Sequence, residues 1–375
     1  MTTVSMSSPA QGPLDGLSNG QGHLPGAGER DRSLLSRIAG NFVLRRIVRA
    51  LFTIWLVTTI IFVLIRLMPG NPVDILVNDL ILQGKTEEEA RQRAAHLMNL
   101  PLDAPISAQY VTYIDHLVHG DLGMSYRSNG TTVSTIIAQR LPWTVFSVGV
   151  SLGLSFLIGM TLGMIAAYRR NSLLDIIITN VGAALDAIPP NLTAVLLILL
   201  LVITFKVMKF PQMRGGFTPG LKPGFTLRYI ADIFSHLLIP GIVYVLATVG
   251  SWMLVMKSST ISVLGEDYVT VARARGLSDG RILSAYVGRN ARLPLFTRLA
   301  LSIASVVGGS VLIESIFTYP GIGLQLAQAL TQRDYPVMQG IFLVTTVAVV
   351  LANLVADLAY SWIDPRIRVV GAQNE

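Results

Sequence analysis

Ionisable residues fall inside or at the ends of long apolar runs, among them Arg66, Asp186, Glu314 and Asp357. A charge placed in hydrocarbon is costly, so such residues face a protein interior or an aqueous path, pair with another group, or reach out to the interface. Arg66 and Glu314 lie near the ends of their runs, where snorkelling to the interface suffices. Asp186 stands four residues before Pro190, where it can line a pathway or satisfy a broken helix. Asp357 lies about a turn and a half from the end of the last run. A structural pairing role and a direct role along an aqueous path remain open for each of the four.

Other groups suggest chemistry more weakly. His116 and His119 are spaced i, i+3 with Asp115 and Asp121 nearby. That spacing can hold a metal, but it is also what a solvated helix face presents, and no metal site is expected. Gly84-Lys85-Thr86 imitates the end of a phosphate-binding loop. The glycine such a loop needs five residues earlier is Asp79, and Glu87-Glu88-Glu89 would repel phosphate. No bound nucleotide is expected. The five histidines are scattered and no nucleophile–base arrangement is readable, so the chain is not expected to be an enzyme. With no cysteine, a disulfide scaffold, a Cys-ligated zinc and an iron–sulfur centre are excluded.

The most informative polar segment is Asp267-Tyr268-Val269-Thr270-Val271-Ala272-Arg273-Ala274-Arg275-Gly276-Leu277. Tyr268, Val271 and Ala272 are spaced i, i+3, i+4 and so share a helix face. Gly276 suits a left-handed C-cap, with Leu277 available for the contact that accompanies it. Ser278 can cap a following helix that starts near Asp279. The expectation is a short amphipathic helix, a glycine turn and a second helix. Composition and spacing also permit a plain connecting helix lying on the membrane interface.

The elements that must carry these residues are membrane spans. The 375 residues are 51% hydrophobic and 14% charged, well below the roughly 25% charged residues of soluble domains. Apolar runs cover about Ile47–Met68, Pro142–Tyr168, Leu173–Phe205, Leu237–Met256, Leu293–Ile313 and Gly340–Trp362. About 20 apolar residues suffice to span, so an all-α polytopic protein of six transmembrane helices is expected. The third run would be roughly 50 Å long if straight, so it must tilt, project or kink at Pro189-Pro190, as one span or two half-spans. Lys and Arg set the orientation. Arg45, Arg46, Arg49, Arg169, Arg170, Lys257, Arg273, Arg275, Arg281, Arg289, Arg292, Arg366 and Arg368 fall on one side if there are six spans. Both termini are then cytoplasmic. The formal net charge of +7 is topological, and nucleic acid is not an expected partner. The expected divisions are a disordered cytoplasmic tail over 1–40, a first span over 41–69 and an extracytoplasmic region over 70–134. A membrane core over 135–363 follows, with its cytoplasmic loop at 257–292, and then a cytoplasmic tail over 364–375.

The loop resembles the coupling loop of permease subunits of ABC importers, in the oligopeptide/dipeptide/nickel branch. The matching residues are Asp267-Tyr268-Val269, Ala272 to Ser278, Arg289-Asn290-Ala291 and Leu293-Pro294. The Glu-Ala-Ala of the general signature survives only as Ala272, and Tyr286 stands where that branch often has His. Further motifs agree in order: Arg66-Leu67-Met68-Pro69-Gly70-Asn71-Pro72, Gly120-Asp121-Leu122-Gly123-Met124-Ser125-Tyr126-Arg127-Ser128, Ile188-Pro189-Pro190, Glu314 to Gly323, Arg333-Asp334-Tyr335-Pro336 and Asp364-Pro365-Arg366. The resemblance covers roughly 42–368. It implies a type I importer transmembrane domain in a bacterial or archaeal cell membrane, the first permease of a pair forming half of the pathway. It also implies a second permease, two ATPase subunits that bind ATP and Mg, and an extracytoplasmic substrate-binding protein, with lipid around the spans. The run from Asp267 to Leu277, with Tyr268, Val271, Ala272, Arg273, Ala274, Arg275 and Gly276, carries over as the ATPase-docking helix. Gly120, Asp121, Leu122, Gly123, Ser125, Tyr126 and Arg127 carry over as part of a region facing the binding protein. Di- or oligopeptides are the implied cargo. Nickel, glutathione or oligosaccharides on the same scaffold are alternatives, and a stand-alone secondary transporter or channel is the rival of another class.

Overall fold

A computed structural model describes residues 42–67, 72–98, 105–128, 130–207, 213–296, 298, 299, 302 and 311–363. The expected tails over 1–40 and 364–375, most of the fifth apolar run, and the Pro69-Gly70-Asn71 stop of the first lie outside the described residues. Contacts separate residues 1–45 from 46–375, and apart from residues 42–45 the second unit holds everything below. The described residues are helical, apart from turns and one isolated bridge between Met124 and Thr132.

Among the described residues, four helices are long and apolar enough to cross a membrane, and a bent pair makes a fifth crossing if counted as one span. They are α1 (Phe42–Leu67), α5 (Val133–Tyr168), α8 (Leu227–Leu264) and α14 (Tyr335–Ile363), with the pair α6 (Leu173–Ala187) and α7 (Pro190–Ile198). Three helices follow α1: α2 (Pro72–Leu82), α3 (Glu87–Met98) and α4 (Ile106–Val118). A short α9 (Asp267–Ala274) follows α8. Then come α10 (Asp279–Arg281), a π-helical turn over Ile282–Val287 and α11 (Gly288–Ala291), with α12 (Val311–Phe317) and α13 (Ile322–Gln332) ahead of α14.

The spans outrun their sequence limits. Pro142 does not open α5, and α8 extends beyond both Leu237 and Met256, with Pro240 inside it. A proline within a membrane helix is tolerated where neighbours re-satisfy the freed backbone. The real starts are polar caps: Thr132 accepts from the Thr135 N–H, and Thr226 from the Tyr229 N–H.

The centre is the pair α5–α8. Along α5 the buried positions Ser147, Ser151, Ser155, Gly159, Gly163 and Ala167 recur every fourth residue. This is a small-residue seam that lets backbones approach, as membrane interfaces favour. The helices run parallel in register, with Ser155 hydroxyl to Thr248 hydroxyl at 2.7 Å. Further along, a Cβ on Gly159 or Gly163 would collide with Trp252, or with Met253 and Met256. On the other flank α6 crosses α8 where Gly250 meets Gly182; a side chain at Gly250 would run into the Gly182 carbonyl.

The third apolar run breaks at Pro189-Pro190 with a bend of 99°. Two adjacent residues without N–H groups cannot continue the ladder of α6. After the break α7 passes into a π-helical turn over Leu199–Thr204.

Candidate functional site

The loop after α8 closes on itself. Val269 and Ala272 of α9 are buried against Ile282 and Val287 of the π turn, with Leu264, Leu277 and Tyr286 around them. The buried pair is therefore 269/272. Tyr268 and Val271, expected to share the apolar face with Ala272, instead point outward, 39% and 55% exposed. The reason is local: the second half of the loop supplies a core of its own, which claims the 269/272 side. Tyr268 is held by its hydroxyl, which accepts from Asn290 Nδ2 at 2.9 Å. Asn290 also donates to the Tyr286 carbonyl. Asp267, Arg273, Ala274 and Arg275 complete the exposed side.

Gly276 closes α9 as expected, at φ +74°. Its N–H donates to the Arg273 carbonyl at 2.9 Å, and the Leu277 N–H to the Ala272 carbonyl at 3.3 Å. These are the two bonds of a Schellman motif, and Leu277 provides its apolar contact. Ser278 sits at the N-cap of α10, but its side chain makes no cap bond; its carbonyl accepts from Arg281 and Ile282 instead.

At the same end of the bundle, Ser172 caps α6 and Asp175 in its first turn pairs with Lys257 of α8 at 2.5 Å. Lys257 also donates to Thr179, which in turn donates to Asp175. Lys257 therefore ties α6 to α8 beside the loop.

Between the spans lies a cavity of about 430 Å³. It sits beside the Pro189-Pro190 break, at the middle of α5 and α8, against Val148, Leu152, Pro190, Tyr244, Thr248 and Trp252. Asp186 reaches it, and so do Arg298 and Ser302. Arg298 donates to Ser251 Oγ at 2.6 Å and lies over the Trp252 ring, 5.6 Å from its centroid.

Glu314 does not snorkel. It is 1% exposed. Its carboxylate accepts from the Thr144 hydroxyl at 2.8 Å and from the Leu324 N–H at 3.1 Å. Thr144 in turn accepts from the Ile322 N–H. The carboxylate thus sits at the N-terminal turn of α13, where unpaired donors and the helix dipole favour an anion. Burial, and secondarily the Glu314 charge, push the neighbouring Tyr319 phenol above its ordinary range. The side chains of Arg66 and Asp357 lie outside the described residues.

The segment Gly120–Ser128 is fastened to the start of α14. Buried Ser125 donates to Asp334 at 2.5 Å, and the Tyr126 N–H donates to the other oxygen of the same carboxylate. Ser125 Oγ also accepts from the N–H groups of Arg127 and Ser128. Arg127 pairs with Asp79 of α2 at 2.7 Å and donates to the Gln332 carbonyl. Gly120 and Gly123 turn at φ +80°, the Asp121 carboxylate accepts from the Gly123 N–H, and Leu122 packs among Ile136, Ile137 and Ile341.

Gly84-Lys85-Thr86 is helix punctuation. Gly84 ends α2 at φ +90°. Thr86 and Glu89 then form a reciprocal capping box, each side chain accepting from the other's N–H. His116 faces Asp121 and His119 faces Asp115; among the described residues no three acidic or histidine side chains converge on a metal position.

Sequence reasoning missed Arg298, Thr144, Asp334 and the α5 seam. The seam carried a local signal in its small residues at every fourth position, Arg298 in its charge within an apolar run and Asp334 in its motif; Thr144 works through partners distant in the chain.

The family model for the binding-protein-dependent transport system inner membrane component matches residues 159–369, and the one for the N-terminal part of such components matches 40–148. A Brucella suis protein is 36% identical over 329 residues, covering 88% of this chain and 99% of that one. The oligopeptide transport system permease protein AppB of Bacillus subtilis is 33% identical over 326 residues, covering 87% and 98%. The dipeptide transport system permease protein DppB of Escherichia coli K12 is 32% identical over 347 residues, again covering 87% and 98%. The chain belongs to the family of binding-protein-dependent transport system inner membrane components.

Proposed function

We propose that this chain, as such an inner membrane component, is a permease subunit of an ATP-driven importer of di- or oligopeptides. The observation that carries the reading is full-length similarity to proteins named oligopeptide and dipeptide permeases. The chain forms half of the pathway with a second permease, and an extracytoplasmic binding protein delivers the cargo. Two partner subunits bind ATP and Mg and hydrolyse ATP. The exposed side of α9, with Tyr268, Val271, Arg273, Ala274 and Arg275, receives an ATPase, and Gly276 fixes the angle at which it does so. Asp186 lines the pathway. Glu314 serves a structural role, anchoring α13. The Gly120–Arg127 segment faces the binding protein, braced from behind by Asp334. In this reading the fifth apolar run completes six spans and both termini are cytoplasmic in a bacterial or archaeal cell membrane.

The test is reconstitution of the chain with its second permease, ATPases and binding protein in vesicles. ATP-dependent uptake of labelled di- and tripeptides is expected, with no uptake when the ATPases are omitted. Uptake of nickel, glutathione or oligosaccharide in place of peptide would overturn the cargo. Uptake by the chain alone would overturn the importer.

A further inference from the structure

We infer that the cavity at the Pro189-Pro190 break is a transient seat for a zwitterionic peptide, with Asp186 facing its ammonium terminus and Arg298 its carboxylate. The inference rests on the peptide reading above and deepens it. The cavity, about 430 Å³, is within the range of small-ligand pockets. Its walls are mainly apolar, and they carry one carboxylate and one guanidinium. The Asp186 carboxylate has no hydrogen-bond or ion-pair partner among the described residues. A carboxylate left so in a membrane-spanning helix points to function. Arg298 is oriented by Ser251 and Trp252, which leaves further guanidinium donors for a planar carboxylate.

The balance of the two charges selects the class of guest. A free cation would meet Arg298 and a free anion would meet Asp186, while a neutral sugar would leave both unpaired. A peptide brings one charge of each sign whatever its side chains are. Only the termini are common to all peptides, and the two charges address only the termini. Tyr244, Thr248 and Trp252 present adaptable, largely apolar surface to whatever lies between.

The experiment uses the reconstituted importer with saturating, peptide-loaded binding protein. Uptake of a labelled tripeptide is compared with its N-acetylated and its C-amidated forms, in wild type, Asp186→Asn and Arg298→Gln. Asp186→Asn is expected to lower uptake of the free tripeptide about tenfold, the worth of one charge-assisted hydrogen bond, and to leave the acetylated form unchanged. Arg298→Gln is expected to do the same for the free and amidated forms. Equal loss for every form, or no loss, overturns the seat while leaving the peptide reading intact. Failure of the wild type to move any peptide overturns the peptide reading, and the seat with it. If Asp186→Asn does not assemble, Asp186→Glu keeps the charge and displaces it. A lowered ratio of free to acetylated uptake then supports the seat, and an unchanged ratio overturns it.

Discussion

Replacing Gly276 with valine tests the coupling reading most directly. The residue sits at φ +74°, and a Cβ built there meets nothing within 4 Å. The cost of a side chain is therefore backbone strain alone, about 1–3 kcal/mol for a non-glycine residue in this region, with a β-branched residue at the upper end. Opposing it are the two Schellman bonds from Gly276 and Leu277, each contributing about 0.5–1.5 kcal/mol. Strain and restraint are of similar size, so valine opens the last turn of α9, while the bundle, whose spans are packed elsewhere, stays folded. Opening re-aims Arg273 and Arg275, on the exposed side of an eight-residue helix. A graded series sharpens the test: asparagine tolerates this backbone, alanine less, valine least. Peptide imported per ATP hydrolysed should fall in the order Asn, Ala, Val, with equal amounts of assembled complex in the membrane. A Gly276→Val importer with wild-type stoichiometry would refute the reasoning, and so would an equal loss across all three.

Four further outcomes are expected. Glu314→Gln places an amide where two donors now meet a carboxylate; it should destabilise the chain by about 1–3 kcal/mol, read as a lower thermal midpoint in detergent. Asp175→Ala strips the nearest partner from Lys257 and should cost about 3–5 kcal/mol, with part of the loss recovered in Asp175→Glu. Gly250→Val drives a branched side chain into the Gly182 carbonyl and should abolish a stable α6–α8 crossing, seen as loss of monodisperse protein. Tyr268→Ala removes one exposed hydrogen bond and should cost the isolated chain only about 0.5–1.5 kcal/mol of stability, while weakening co-purification of the ATPases.

The glycine turn at Gly276, the break at Pro189-Pro190 and the apolar runs were legible because each is dictated by nearby residues. Proline lacks an N–H, glycine accepts positive φ, and apolar length sets a span. The limits of α5 and α8 were not legible, because Pro142 and Pro240 are tolerated inside helices whose neighbours support them. Which side of α9 turns inward was not legible for a related reason. Which apolar pair turns inward depends on Ile282 and Val287, over ten residues later, and a helical period alone cannot choose between 268/271 and 269/272. Glu314 shows the larger gap: its Thr144 partner is 170 residues away, and no spacing rule reaches that far.

The bond from Ser125 to Asp334 spans 209 residues. At a synthesis rate of about 5–20 residues per second, the acceptor emerges roughly 10–40 s after the donor. Until then Ser125, and the N–H of Tyr126, lack the carboxylate that holds them in the finished fold. The Gly120–Ser128 segment of the nascent chain therefore stays unclasped until Asp334 arrives. A chain stopped before Asp334 would carry the Gly120–Ser128 segment without its clasp.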